Sequence, residues 1–282
     1  MTSRRTFLAQ AAAVAATFPT ANAFPLNLPL GFQSFDLNTA FKDDFPGALN
    51  KVAGLGYQWI DYVWMGGNPG TSPVLAAMSG KDVRKAFDAA KLACPNCHYS
   101  WKSLHDDYDK TIAIAHELGN KTLVCQSMNA NTKTADGWKW HADGLAELSL
   151  KTKKDGILTG YHNHPTEFKE VDGKLPFEIL AAGTDKNLVK FQLDLGSVAV
   201  AGHDPLKVMQ QHKGQIFSIH AKEVKDGQIA LALGEGTLDW KTLFAEAKKQ
   251  NLMNYAVETG AKADIVWDKL KTSIDYLREM KA

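Results

Sequence analysis

The chain of 282 residues lacks the marks of several large protein classes. It has no excess of one charge: 32 Lys and Arg stand against 31 Asp and Glu, a formal net charge of +1. The two signs are mixed along the chain, so no basic stripe invites nucleic acid or an anionic membrane. No apolar run is long enough to span a bilayer. Gly31-Phe32-Gln33-Ser34-Phe35, the first strand-like segment, carries no Gly-rich dinucleotide fingerprint. A Gly-rich phosphate loop is also missing. After residue 30 there is no low-complexity linker, internal repeat or domain boundary. Cysteine is scarce, at three residues. Cys94-Pro95-Asn96-Cys97-His98 fits the C-x-x-C-H pattern of haem attachment. It lies on a segment that reads as a buried strand, where a covalent haem has no room. Side chains alternate along a straight strand, which points Cys94 and Cys97 to opposite faces. Two thiols are expected there rather than a disulfide, and Cys125 should be buried.

What is present begins with the N-terminus. Thr2-Ser3-Arg4-Arg5-Thr6-Phe7-Leu8 leads into an Ala-rich apolar stretch, followed by Ala21-Asn22-Ala23. A charged start, an apolar middle and a small-residue exit make a signal peptide. Paired arginines followed by Phe-Leu resemble the twin-arginine export signal. Residues 1–23 are therefore set aside from the fold. Export through the twin-arginine translocation machinery to the periplasm, or otherwise out of the cytoplasm, is expected. That route moves folded proteins, so a metal can be inserted first, where the competing ions are controlled.

Residues 24–282 read as one α/β domain. Short apolar runs rich in β-branched or aromatic residues lie at 30–35, 57–64, 94–100, 121–126, 158–163, 189–195, 216–222 and 254–259. Buried parallel strands have this composition. Amphipathic helical spacing falls between them, at 45–54, 81–92, 106–118, 138–154, 176–182, 205–211, 239–250 and 264–280. Eight strands alternating with eight helices predict a (β/α)₈ TIM barrel.

Four of the later strands end in residues that bind metals. His162, Asp194, His220 and Glu258 close consecutive runs, at separations of 32, 26 and 38 residues. Each separation is about one strand–helix repeat. In a barrel, such ends converge on the active-site face. Two imidazoles and two carboxylates suit a divalent Mn, Zn, Co or Fe ion better than Mg. His164 lies two beyond His162 and shares its face by strand alternation, so either imidazole could be the ligand. Glu258, His164 and Glu167 are the candidate bases. Lys222 lies two beyond His220 and should point into the barrel mouth, to bind a substrate oxygen or steady an enediolate. Gln33, Asp61 and His98, near the ends of the first three strands, and Glu235, in a Gly-flanked loop, are candidate pocket residues. Trp64, Trp101, Trp138 and Trp140 are candidates for stacking on a sugar, although such spacing also fits helix packing.

Several of these segments together resemble one family. Leu55-Gly56-Tyr57-Gln58-Trp59-Ile60-Asp61-Tyr62 is similar to the second-strand signature of sugar phosphate isomerases/epimerases, within the xylose isomerase-like barrel superfamily. Tyr161-His162-Asn163-His164-Pro165-Thr166-Glu167-Phe168 resembles a fifth-strand motif of one branch. Leu193-Asp194-Leu195-Gly196, His220-Ala221-Lys222-Glu223, Gly234-Glu235-Gly236-Thr237-Leu238-Asp239-Trp240 and Val257-Glu258 follow in the family's order. The resemblance implies a divalent metal held by Glu, Asp, His and Glu at the ends of strands five to eight. Asp194, His220 and Glu258 match, and His162 departs from the glutamate. In the epimerases two glutamates flank the substrate and pass its proton between faces, so this departure bears on the reaction. The first expectation is a metal-dependent isomerase or epimerase of an unphosphorylated sugar or keto-sugar, acting through a metal-stabilised enediolate. The alternatives are a 3-keto-glycoside lyase or hydrolase, which would follow the same deprotonation with β-elimination, and a non-catalytic periplasmic carbohydrate-binding protein.

Overall fold

The computed structural model describes residues 24–66, 73–128 and 130–281. The expected export signal, at 1–23, lies outside them. Eight parallel strands close into a barrel in sequence order: β1 (Leu30–Gln33), β2 (Trp59–Val63), β3 (Asn96–Tyr99), β4 (Thr122–Cys125), β5 (Leu158–His162), β6 (Val189–Asp194), β7 (Ile216–Ala221) and β8 (Asn254–Val257). Each falls within a segment read as a strand. The pairing of β8 with β1 closes the ring. The (β/α)₈ expectation holds.

The outer layer is more divided than the periodicity suggested. Its helices are α1 (Asn38–Leu55), α2 (Pro73–Ala77), α3 (Gly80–Ala89), α4 (Trp101–His105), α5 (Tyr108–Leu118), α6 (Ala135–Lys154), α7 (Pro176–Ala182), α8 (Leu195–Val200), α9 (Pro205–Gln211), α10 (Trp240–Ala247) and α11 (Val266–Lys281). Helix α1 starts seven residues before the predicted 45 and bends at Asp44, whose φ of −153° and ψ of 90° are not helical. Pro46 explains the bend, since it can give no hydrogen bond back to the preceding turn. The helix predicted at 106–118 is α5, starting two residues later, and a short extra helix, α4, precedes it, capped by Ser100, whose side chain accepts from the Ser103 amide. Helix α8 was not foreseen; it starts immediately after Asp194, whose side chain caps it.

Strand alternation sorts the side chains into two sets. On β6, Val189, Phe191 and Leu193 alternate with Gln192 and Asp194; on β7, Ile219 alternates with Ser218 and His220. The apolar set is buried in the hydrophobic core with the helices. The other set fills the barrel with polar groups. Asn96 on β3 and Asn254 on β8 exchange side-chain hydrogen bonds of 3.0 and 3.1 Å. The three cysteines are free thiols, all buried. Among the described residues, no helix is long and apolar enough to cross a membrane.

Candidate active site

The polar face of the barrel ends in a cavity of about 570 Å³ at the C-terminal ends of the strands. It is lined by Gln33 from β1, His98 from β3, His162 at the end of β5, His164 after it, Lys222 after β7 and Glu258 after β8, among others. The register sets this convergence: Asp194 stands opposite His220 across β6 and β7, and His162 opposite Gln192 across β5 and β6.

The sequence quartet meets. One ligand-type atom from each of His162, Asp194, His220 and Glu258 lies within 4.8 Å of the others, and all four residues are buried. Asp61 lies fully buried beside them. Its Oδ2 accepts from His220 Nε2 at 2.6 Å, from the Gln192 amide at 2.7 Å and from His98 Nε2 at 3.2 Å. Its Oδ1 is buried without a partner. The Gln192 amide nitrogen donates to Asp61, so the Gln192 oxygen is an acceptor, and His98 Nε2 donates to it at 2.7 Å. The two acceptors favour a proton on His98 Nε2, which the Gln33 amide nitrogen also faces at 3.3 Å.

His220 bridges two carboxylates. Its Nε2 faces Asp61 and its Nδ1 donates to Glu258 Oε2 at 2.8 Å. Burial opposes a charged ring, but these two hydrogen bonds outweigh it and raise the pKa to about 10. The Lys222 ammonium donates to Glu258 Oε1 at 2.6 Å and to Asp194 Oδ2 at 3.2 Å. Burial works against this ammonium too, yet Asp194 and Glu258 hold its pKa above the ordinary lysine value. Glu258 is correspondingly held well below the usual carboxylate range by Lys222 and His220, despite its burial. His162 is the opposite case. Burial first, then His220, His164, His98 and Lys222, push it well below 6.5, so it is neutral at pH 7. Its buried Nδ1 has no hydrogen-bond partner.

These groups fit a divalent ion. A neutral imidazole with an unshared buried nitrogen is a ready ligand. His220 already has a carboxylate on its far nitrogen, the arrangement that orients metal-bound histidines. Two nitrogens and two carboxylate oxygens suit zinc, manganese, cobalt or iron.

Other groups hold the strand ends in place. Asn163 brackets the backbone of Asp194, accepting from its amide at 2.9 Å. The Asp194 oxygens accept from Ser197 N at 3.0 Å and Ser197 Oγ at 2.5 Å. Asp36 accepts from Thr259 N at 2.6 Å, Thr259 Oγ1 at 2.9 Å and Gly260 N at 3.0 Å, which pins the residues after Glu258. Burial, and then the nearby charge of Glu258, push Asp36 up to about 6. Gly196 leaves room for Lys222: an added Cβ would come within 2.8 Å of the Lys222 carbonyl oxygen.

Two sequence candidates sit elsewhere. Glu167 is buried and does not line the cavity. Its carboxylate accepts from the Tyr161 hydroxyl at 2.5 Å, Thr166 Oγ1 at 2.9 Å and the His164 amide at 2.9 Å. It braces the turn that carries His164. Glu235 is paired with Lys269 at 2.7 Å, away from the cavity lining. The carboxylate that organises its loop is Glu223, which accepts from Val224 N, Gly234 N, Leu238 N and Trp240 Nε1. Of the four tryptophans, none lines the cavity. Trp101 and Trp140 meet edge to face at 6.2 Å on neighbouring helices. Gln192 was missed, though it lies two residues before Asp194 and shares its face.

Comparisons with known proteins agree with this architecture. The sequence profile of the family described as xylose isomerase-like TIM barrel matches residues 49–280. An inosose dehydratase from Lacticaseibacillus casei is 28% identical over 222 residues, covering 71% of this chain and 70% of that protein. Among solved structures, a sugar phosphate isomerase/epimerase from Parabacteroides distasonis ATCC 8503 superposes with a TM-score of 0.77 at 24% identity, covering 88% of this chain and 93% of that one. The IOLI protein, solved with a zinc atom bound, superposes with a TM-score of 0.64 at 15% identity, covering 90% of this chain and 98% of that one.

Proposed function

The chain belongs to the xylose isomerase-like TIM barrel family, and from that premise we propose that it is a metal-dependent enzyme acting on an unphosphorylated keto-sugar. It removes the proton beside the carbonyl and then expels the group on the next carbon. The observation that carries this reading is the inventory of the cavity. Among the described residues Glu258 is the one carboxylate that lines it, and both Glu258 oxygens are engaged, by Lys222 and His220. A two-carboxylate shuttle has no second member, because His162 stands at its strand end and Glu167 is locked beneath His164. One base and one acid suffice for an elimination. The similarity to a dehydratase supports the same choice.

In this reading His162, Asp194, His220 and Glu258 hold the ion, and the similarity in fold to a zinc-bound structure supports that. When bound, a divalent ion polarises the carbonyl and offsets the charge that deprotonation leaves on its oxygen. The rest falls to side chains. His164, at the cavity wall with its ring 4.8 Å from that of His162, takes the proton. Lys222, kept charged by its two carboxylates, steadies the enediolate oxygen. With a 3-keto-glycoside, the C2–H bond breaks, the C1–C2 double bond forms and the C1–O bond breaks. The imidazolium of His164 returns the proton to the departing alcohol.

Incubation with a methyl 3-keto-glucoside in deuterated water tests the proposal. Released methanol is expected, lost with EDTA and in the His164→Ala protein. Deuterium beside the carbonyl of an otherwise intact glycoside would instead establish the isomerase/epimerase reading. That reading requires Glu258, whose oxygens are engaged by Lys222 and His220, to exchange protons opposite His164. Neither product nor exchange would leave a carbohydrate-binding protein.

Export by the twin-arginine route to the periplasm belongs to the proposal as well. Its support is the sequence of the first 23 residues, where Arg4-Arg5 precede an Ala-rich apolar stretch and Ala21-Asn22-Ala23. Replacing Arg4 and Arg5 by Lys should retain the unprocessed chain in the cytoplasm, seen by fractionation.

A further inference from the structure

Beside its polar and charged groups, the cavity lining carries four apolar side chains, Phe35, Val63, Met65 and Ile229. Phe35 is 62% exposed. Among the described residues, the other exposed large apolar side chains, Val74, Trp140, Leu150, Val200 and Ile265, lie outside this cavity. An exposed apolar ring costs free energy in water and is worth a question where it borders a binding site.

Phe35 is not on a loose loop. It belongs to a single 3₁₀ turn, Ser34–Leu37, stitched down on both sides. The Gln33 side chain accepts from the Phe35 amide at 3.1 Å. Ser34 Oγ accepts from the Val63 amide at 2.8 Å, tying the turn to β2. Asp36 is buried and bonded to Thr259 and Gly260, just beyond Glu258. The backbone on either side of Phe35 is thus anchored to the elements that carry the site, while the ring is left in solvent. Ile229 approaches from the loop after β7, held near its base by paired Lys225–Gln228 hydrogen bonds of 3.0 and 2.9 Å. It packs against Gly260, where an added Cβ would come within 2.9 Å of its Cδ1.

The cavity, at about 570 Å³, falls in the range that accepts a drug-sized ligand, roughly 300–1,000 Å³. One sugar ring held by the polar groups does not fill this volume. We propose that the substrate is a glycoside with an apolar, ring-bearing aglycone, and that Phe35, Val63, Met65 and Ile229 form its seat. This inference rests on the reading of the polar groups as a keto-sugar site. The departing alcohol is then the apolar half of the substrate, and it leaves from the seat that bound it.

The test compares methyl and benzyl 3-keto-glucosides, whose alcohols leave with similar ease. The benzyl compound is expected to have a kcat/KM about tenfold or more higher, from burial of its ring. Phe35→Ala should bring the benzyl-to-methyl ratio toward one, while Leu150→Ala, on an exposed residue outside the cavity, keeps it. Equal kcat/KM values in the wild type, or a ratio that survives Phe35→Ala combined with Ile229→Ala, overturns the inference. So does a preference for a phosphate-bearing keto-glucoside, which would assign the rest of the lining to Lys42 instead. Where neither ketone turns over, calorimetry with the unoxidised benzyl and methyl glucosides decides. Tighter benzyl binding that needs Phe35 keeps the seat and discards the reaction; equal binding discards the seat.

Discussion

Metal affinity at this site should rise steeply with pH, because an ion and a proton compete for Nδ1 of His220. With a pKa of about 10, that ring is protonated at pH 7. Each ion that binds through it must displace the proton. Apparent affinity then climbs about tenfold per pH unit, roughly a hundredfold between pH 7 and 9. Asp61→Asn is the perturbation that isolates the cause. The amide oxygen can take the Oδ2 position facing His220, Gln192 and His98, and the amide nitrogen the Oδ1 position, which has no partner. Shape is kept and one charge is lost. His220 is left with Glu258 alone, its pKa falls, and the slope flattens. At pH 9 the D61N protein should bind about 10–100-fold more weakly, since no carboxylate orients the imidazole. Competition with a chromogenic chelator gives the affinities, and calorimetry in buffers of different ionisation enthalpy counts the protons. About one proton per ion is expected for the wild type at pH 8, and clearly fewer for D61N. A wild-type affinity that is flat from pH 7 to 9, or a slope that D61N leaves unchanged, refutes the reasoning. The same linkage acts on folding of the metal-free protein. The folded pKa lies above the ordinary 6.5, so the stabilisation is complete below about pH 6.5 and is lost as pH rises through about 10. The urea midpoint should fall over that window, and less so in D61N.

Three further substitutions probe the supports. Gly196→Ala forces a Cβ against the Lys222 backbone and side chain; stability should drop by about 1–3 kcal/mol and kcat by about a hundredfold, and an unaltered kcat would remove Lys222 from the chemistry. Glu167→Gln weakens the acceptor for Tyr161, Thr166 and the His164 amide; a stability loss of about 1–3 kcal/mol with a fall in kcat larger than any change in KM is expected, and a wild-type kcat would show that His164 does not depend on this brace. Glu223→Ala strips four donors of their common acceptor; thermal unfolding should report a loss of about 3 kcal/mol or more, with faster proteolysis at residues 225–238, and a normal melting curve would contradict it.

The barrel was legible because its strands are short apolar runs at regular spacing, and the four metal-type residues because each ends such a run. What escaped was set by register and by tertiary contact. Gln192 lies on the inner face of β6 two residues before Asp194, but only closure of the barrel brings it to Asp61 on β2. Glu167 and Glu235 read as pocket carboxylates from their neighbours in sequence. Their partners, Tyr161 and Lys269, decide otherwise, and Lys269 is 34 residues away from Glu235. The early start of α1 escaped because Pro46 masks the helical pattern across the bend. Phe35 carries no signal in sequence, since a Phe after a strand is most often core; its exposure comes from how Ser34 and Asp36 are tied down on either side.

The sealed thiols also bear on how this chain meets an oxidant. Burial pushes Cys94 and Cys125 up to about 12, and Cys97 well above its ordinary value. Disulfide exchange runs through the thiolate, which at neutral pH is then a fraction on the order of 10⁻⁵ for Cys94 and Cys125. Burial and the scarcity of thiolate both slow oxidation at these positions in the folded barrel. An unfolded chain has no such protection, and its cysteines could cross-link wrongly within or between molecules. The interior of this barrel therefore confines the reactivity of these thiols to the unfolded chain.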